Sequence, residues 1–195
     1  MAERSSLVRL LNEYDLELDW RGFELHPETP PGGMRLDELF PPERLAGMDT
    51  YMTRFAAQFG IENFHSRDRI PNTRRALALA EVAREEGRLT EYRERAMEAH
   101  WRDGLDLEDD TDLALIARDA GLSADAVTRS RTDPRYLARV DAMREEANAI
   151  GVEGIPTFIL GNVGMSGCQP YEVFVRFAEQ AGATRRADGS TRDRQ

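Results

Sequence analysis

Lysine is absent from this 195-residue chain, and all 26 of its basic residues are arginine. That removes Schiff-base and low-pKa amine nucleophiles from its repertoire. Cysteine is nearly absent as well. The single Cys168 cannot make an internal disulfide, a Cys-x-x-Cys redox pair or a cysteine-rich metal site. No run approaches the ~18 apolar residues of a membrane span. The opening Met1-Ala-Glu-Arg-Ser-Ser is charged and lacks the apolar core of a secretory signal. Together these features point to the cytoplasm and away from a membrane. Positive charge is in deficit, with 36 acidic residues and a net charge of -10, so nucleic acid and anionic membranes are repelled. His26, His65 and His100 have no metal-ligand spacing, so no metal site is expected. The acidic run from Asp106 to Asp112 lacks the glycine and glutamate of a calcium loop and suits a helix N-terminal turn instead.

What is present is mostly helix. Residues 3–14 carry Leu7, Leu10, Leu11 and Tyr14 on one face. Residues 16–25 alternate apolar and polar, which is strand periodicity, and lead into the turn-rich 26–33. From about 36 to 150 the pattern is helical. Its ends are marked by Ala-x-x-x-Gly at Ala56–Gly60, Ala83–Gly87 and Ala117–Gly121, and again later at Ala178–Gly182, where glycine closes a helix. Asn72, Thr90 and Ser123 are expected caps, and Pro134 fits a first helical turn. Trp20 and Trp101 are expected in the core.

The stretch from Gly151 to Asn162 differs in kind. After a glycine stop comes Ile155-Pro156, a setting that favours a cis peptide. Thr157-Phe-Ile-Leu160 has strand composition, and Gly161-Asn162 signals a hairpin. An amphipathic helix comes next over 169–182, begun by Pro170. Residues 183–195 have no periodicity, and a disordered tail is expected there.

Several stretches in order resemble the DsbA family of thioredoxin-fold proteins, in its FrnE-like branch. They are Phe23-Glu-Leu-His-Pro with Pro30-Pro-Gly-Gly, Ile70-Pro-Asn-Thr73, Gly151-Val-Glu-Gly-Ile-Pro-Thr-Phe158 and Ser166-Gly-Cys-Gln-Pro170. The resemblance runs from about residue 5 to 182. It implies an α/β thioredoxin-like (DsbA-type) fold with a large helical insertion and its first strand missing. Residues 1–35 and 150–182 would form the core and 36–149 the insertion. In that family a Cys-x-x-Cys at the N-terminus of the first helix attacks a substrate disulfide, and the cis-proline loop holds the substrate chain. Met1 falls just after the place of that motif. The intact framework favours a start further upstream over a shortened relative. No catalytic residue is therefore assigned.

The resemblance makes Ile155 and Pro156 substrate-binding. It adds Asn72 beside the site, by analogy with relatives that bind glutathione. Cys168 stands where the family has alanine and reads first as a small packing residue, although its place near a helix start keeps it with the site. The expected partner is a peptide or protein thiol or disulfide. No cofactor is required, and glutathione is the candidate if one is used. The alternatives are a glutathione-dependent isomerase or transferase of the same fold, and a non-catalytic peptide-binding protein. A second chain, a substrate strand or direct pairing of 16–25 with 157–160 would fill the place of the first strand. A homodimer is the simplest such arrangement.

Overall fold

The computed structural model describes residues 4–58 and 68–187. The chain divides into two units, Met1–Arg21 with Gly151–Gln195, and Gly22–Ile150.

The first unit is built from both ends of the described chain. Helix α1, Arg4–Glu13, buries Leu7 and Leu10, with Tyr14 just beyond it. These pack with Phe174 and Ala178 of helix α9, Tyr171–Gln180. Strands β3, Thr157–Leu160, and β4, Val163–Ser166, form an antiparallel pair joined by the Gly161-Asn162 turn. Phe158 meets the Phe174 ring edge-on at 4.9 Å, so one face of the hairpin is closed by α9. Trp20 also packs on this core.

Two expectations fail in this unit. Residues 15–25 form no strand. Leu18 and Leu25 are exposed and Glu24 is buried, the reverse of what a half-buried strand requires. Among the described residues β3 pairs with β4 alone, so 16–25 does not fill its other side. The expected tail is also placed over 183–187. Asp15 N donates to Thr184 O and Arg186 N to Glu13 O, each at 2.8 Å, and Tyr14 bridges Arg185. Residues 188–195 lie outside the described residues.

The second unit is helical. It holds β1, Met34–Arg35, α2, Leu36–Leu39, α3, Pro42–Gln58, and β2, Arg69–Ile70. After these come α4, Arg74–Glu85, α5, Leu89–Glu98, a π-helical turn over Ala99–Asp103, α6, Asp110–Asp119, α7, Ala126–Thr132, and α8, Pro134–Ala149. Leu79, Val82, Tyr92, Leu113, Ile116 and Tyr136 are the centre of its core. The Tyr92 hydroxyl donates to Ala76 O at 2.8 Å, which satisfies a polar group that burial would otherwise penalise.

Residues 22–35 belong to this unit, not to the first. The cause is Glu24, whose carboxylate takes Arg74 at 2.9 Å and Arg144 at 3.0 Å, anchoring the segment to α4 and α8. Gly33, at φ 76, lets the chain turn so closely that an added Cβ would lie 2.6 Å from Ile70 O.

The Ala-x-x-x-Gly ends are Schellman closures wherever they are described. Arg88 N reaches Ala83 O, Leu122 N reaches Ala117 O and Ala183 N reaches Ala178 O, with Gly87, Gly121 and Gly182 at positive φ. Gly60 lies outside the described residues. The caps are less regular. Asn72 Oδ1 accepts from Arg74 N at 3.0 Å, and Asp109 and Asp133 cap α6 and α8, Pro134 taking the first position of α8. Thr90 is inside α5, which begins at Leu89. Ser123 spends its hydroxyl on Glu86, and α7 begins three residues later.

Candidate functional site

The loop before β3 is organised by short-range bonds. Gly151 has φ 78 and ends the α8 segment. The Ile155–Pro156 peptide is cis. Thr157 Oγ1 donates back to Gly154 O at 2.7 Å and lies 3.3 Å from Ser166 Oγ. Gly167 N donates to Pro156 O at 2.8 Å, extending the β3–β4 pairing by one rung. Gln169 Nε2 donates to Ser166 O at 2.8 Å and closes the second loop on itself. Segments 154–157 and 166–169 are thus fastened to each other, one on each side of the hairpin's open end.

Ile155 is the residue this arrangement leaves outward. Its side chain is 58% exposed. Among the described residues no backbone hydrogen bond reaches it. An apolar side chain flanked by an unsatisfied N–H and C=O matches the needs of an extended peptide, which brings the same groups in return.

The site residues expected from sequence separate into two sets. Ile155, Pro156 and Cys168 share the first unit, and the Gly167-to-Pro156 bond sets Cys168 one residue from the loop. Cys168 is half-buried. Asn72 belongs to the helical unit, and its polar groups are occupied there. Nδ2 donates to Thr29 O at 2.7 Å, Oδ1 caps Arg74, and the backbone N–H donates to Glu108 at 2.9 Å. Glu108 also takes Gly32 N at 2.7 Å, so Asn72 holds the 29–33 loop against the start of α4. Both polar atoms of the Asn72 side chain thus serve the loop and the helix start, with one N–H and one lone pair left over.

A charged cluster supports the first unit and carries no sequence signal. The Arg9 guanidinium lies 3.8 Å over the Tyr171 ring and donates to Glu13 at 2.9 Å. Arg185 donates to the other Glu13 oxygen at 2.7 Å. The Tyr171 hydroxyl, Arg9 and Arg185 hold the Glu13 carboxyl at about 2. Burial, with the Glu13 charge beside it, pushes the Tyr171 hydroxyl up to about 12. Tyr14 donates to Glu179 at 3.1 Å. These bonds tie the end of α1 to α9 and to residues 185–186, and so fix the helices under the hairpin. Glu13 and Arg185 lie 172 residues apart, which is why no local pattern announces them.

Among the described residues no cluster of His, Cys, Asp and Glu is able to hold a metal, and no helix is long and apolar enough to cross a membrane. His26 is paired with Glu28 at 3.2 Å, and buried His100 packs edge-on to Trp101. His65 lies outside the described residues.

A family model for the DSBA-like thioredoxin domain matches residues 2–178. A probable DsbA oxidoreductase from Streptomyces coelicolor superposes with a TM-score of 0.77 at 28% identity, covering 93% of this chain and 83% of that one. A 2-hydroxychromene-2-carboxylate isomerase superposes at 0.66 with 19% identity, covering 93% and 87%, a likeness of fold. No curated protein matches the sequence.

Proposed function

The chain belongs to the DSBA-like thioredoxin domain family, and from that premise we propose that it binds an extended peptide bearing a thiol or disulfide at Ile155–Pro156, without performing dithiol exchange by its own side chains. The observation that carries this reading is Ile155, an exposed residue with unbonded backbone groups on a loop fastened by the Gly167-to-Pro156 hydrogen bond. The fold around it is thioredoxin-like with a helical insertion. The cytoplasm suits a protein of this kind with one thiol.

A single thiol restricts the chemistry open to the bound peptide. A thiolate attacking a substrate disulfide forms one new S–S bond and releases one substrate thiolate. Freeing the protein then takes a second thiol, and with Cys168 the only one in these 195 residues that thiol has to come from the peptide or from solution. With its own side chains the protein goes no further than binding or a mixed disulfide.

Two assays test the reading together. The protein should not accelerate insulin reduction by dithiothreitol. It should bind an extended cysteine-containing peptide saturably, and Ile155→Asp should weaken that binding about tenfold. Catalytic turnover would overturn it, as would saturable glutathione binding with no peptide binding.

A further inference from the structure

Both hydroxyl protons beside the Ile155–Pro156 loop are already placed. Thr157 Oγ1 donates its single proton to Gly154 O at 2.7 Å. It therefore meets Ser166 Oγ, 3.3 Å away, as an acceptor, and the proton between them is that of Ser166. Ser166 is exposed, and its oxygen has lone pairs to offer but no proton. The main chain adds to this excess of acceptors. Gly154 O and Ser166 O each take one bond, from Thr157 Oγ1 and from Gln169 Nε2, and each carbonyl has a second lone pair. Gln169 keeps one side-chain N–H against them.

Charge around the loop has one sign. Residues 154–171 carry no charged side chain, in a chain that is 32% charged, so charge falls to the flanks. The flanks are Glu153 and Glu172, both exposed. Glu172 sits in the first turn of α9, where a carboxylate meets unpaired helix N–H groups. Glu153 precedes Ile155 by two residues, which is at most about 7 Å of extended chain. Among the described residues it has no ion-pair partner. Arg9, the cation over the Tyr171 ring, is committed to Glu13 at 2.9 Å.

We infer that Glu153 and Ser166 Oγ select, among peptides held at Ile155–Pro156, those with an arginine or lysine within two residues of the cysteine. Arginine and lysine side chains carry donors only, and they meet acceptors and a carboxylate with no group left unpaired. A peptide aspartate or glutamate brings acceptors alone, and its charge faces Glu153. The contact is exposed, so the expected gain is about fivefold in affinity. The net charge of -10 attracts any basic peptide from a distance, but at about 0.15 M salt that attraction is screened beyond ~8 Å. This selectivity rests on the peptide-binding reading of the loop.

The test is calorimetric titration of the full chain, at about 0.15 M salt, with a reduced, end-capped alanine peptide. It carries a central cysteine and a variable residue two positions to either side, set to arginine, glutamine or glutamate. The arginine peptide should bind about fivefold tighter than the glutamine one, and the glutamate peptide more weakly than both. Glu153→Gln should cut the arginine-to-glutamine ratio to about twofold, and Ser166→Ala to about threefold. Glu179→Gln removes the same charge from the far end of α9, about 12 Å along the helix from Tyr171, and should leave the ratio as it was. All three variants are to retain the parent's circular dichroism. Equal binding of the three peptides overturns the selectivity and leaves the peptide site standing. So does a ratio that Glu179→Gln lowers as much as Glu153→Gln, or one that Ser166→Ala does not move. Binding of none of the three overturns the peptide site and the selectivity with it.

Discussion

Replacing Glu24 by glutamine should destabilise the helical unit by about 3 kcal/mol. The carboxylate is 3% exposed and takes both Arg74 and Arg144 on one oxygen, at 2.9 and 3.0 Å. Two unit charges at about 4 Å attract a carboxylate by roughly 4 kcal/mol each at an effective dielectric constant near 20. Withdrawing the carboxylate from water offsets much of that gain. The measurable quantity is the cost of orphaning the arginines, roughly 3–5 kcal/mol for a buried pair. The lower end applies, because Asp141 still takes Arg74 at 2.8 Å and Arg144 at 3.3 Å, and each arginine is about a quarter exposed. Urea unfolding monitored by far-ultraviolet circular dichroism reads the change. A second variant isolates its origin. In Glu24→Gln with Arg144→Met the unpaired cation is gone, so the double variant should lose less than the sum of the two single losses. A Glu24→Gln loss below about 0.5 kcal/mol, within the ordinary range for surface substitutions, would refute this account of why residues 22–25 join the helical unit. Additive single losses would do the same.

Other expectations attach to single sites. Gly32 and Gly33 both have positive φ, but only at Gly33 would a Cβ strike backbone, 2.6 Å from Ile70 O. Gly32→Ala should cost about 1 kcal/mol and Gly33→Ala about 3 kcal/mol, read as the difference in urea midpoint. Asn72→Ala removes the Arg74 cap and the bond to Thr29, and should cost about 2 kcal/mol in the same assay. Glu13 is held below its ordinary value of 4.5, at about 2. Its ionised form therefore stabilises the first unit above pH 4.5, and that contribution fades as pH falls toward 2. Near-ultraviolet circular dichroism should report loosening in that window, and Glu13→Gln should flatten it.

Signals in this sequence are legible where the physics is local. Gly161-Asn162 closes the hairpin, and Ala83, Ala117 and Ala178 each open a Schellman closure, because turn chemistry lies within a few residues. The Ser166-Gly-Cys-Gln stretch meets the Pro156 loop for a similar reason, across one hairpin. The alternation of 16–25 misleads. It counts apolar residues but does not register that Glu24 has two arginines waiting 50 and 120 residues away. Arg185 and Arg186 have the composition of a tail, yet their partners Glu13, Tyr14 and Asp15 sit at the far end of the chain. Asn72 is half legible, its capping oxygen visible in the motif and its bond to Thr29 not.

The bridge between Tyr14 and Arg185 also orders events on the ribosome. Residues 22–150 form a contiguous unit whose core contacts are complete once α8 has emerged. The hairpin unit has to wait, because α1 finds α9 and Arg185 only after the last helix is made. Domains form as units during synthesis at about 5–20 residues per second. The loop before β3 is thus assembled last, after the helical unit has been made, and α1 spends the whole of that interval exposing Leu7 and Leu10.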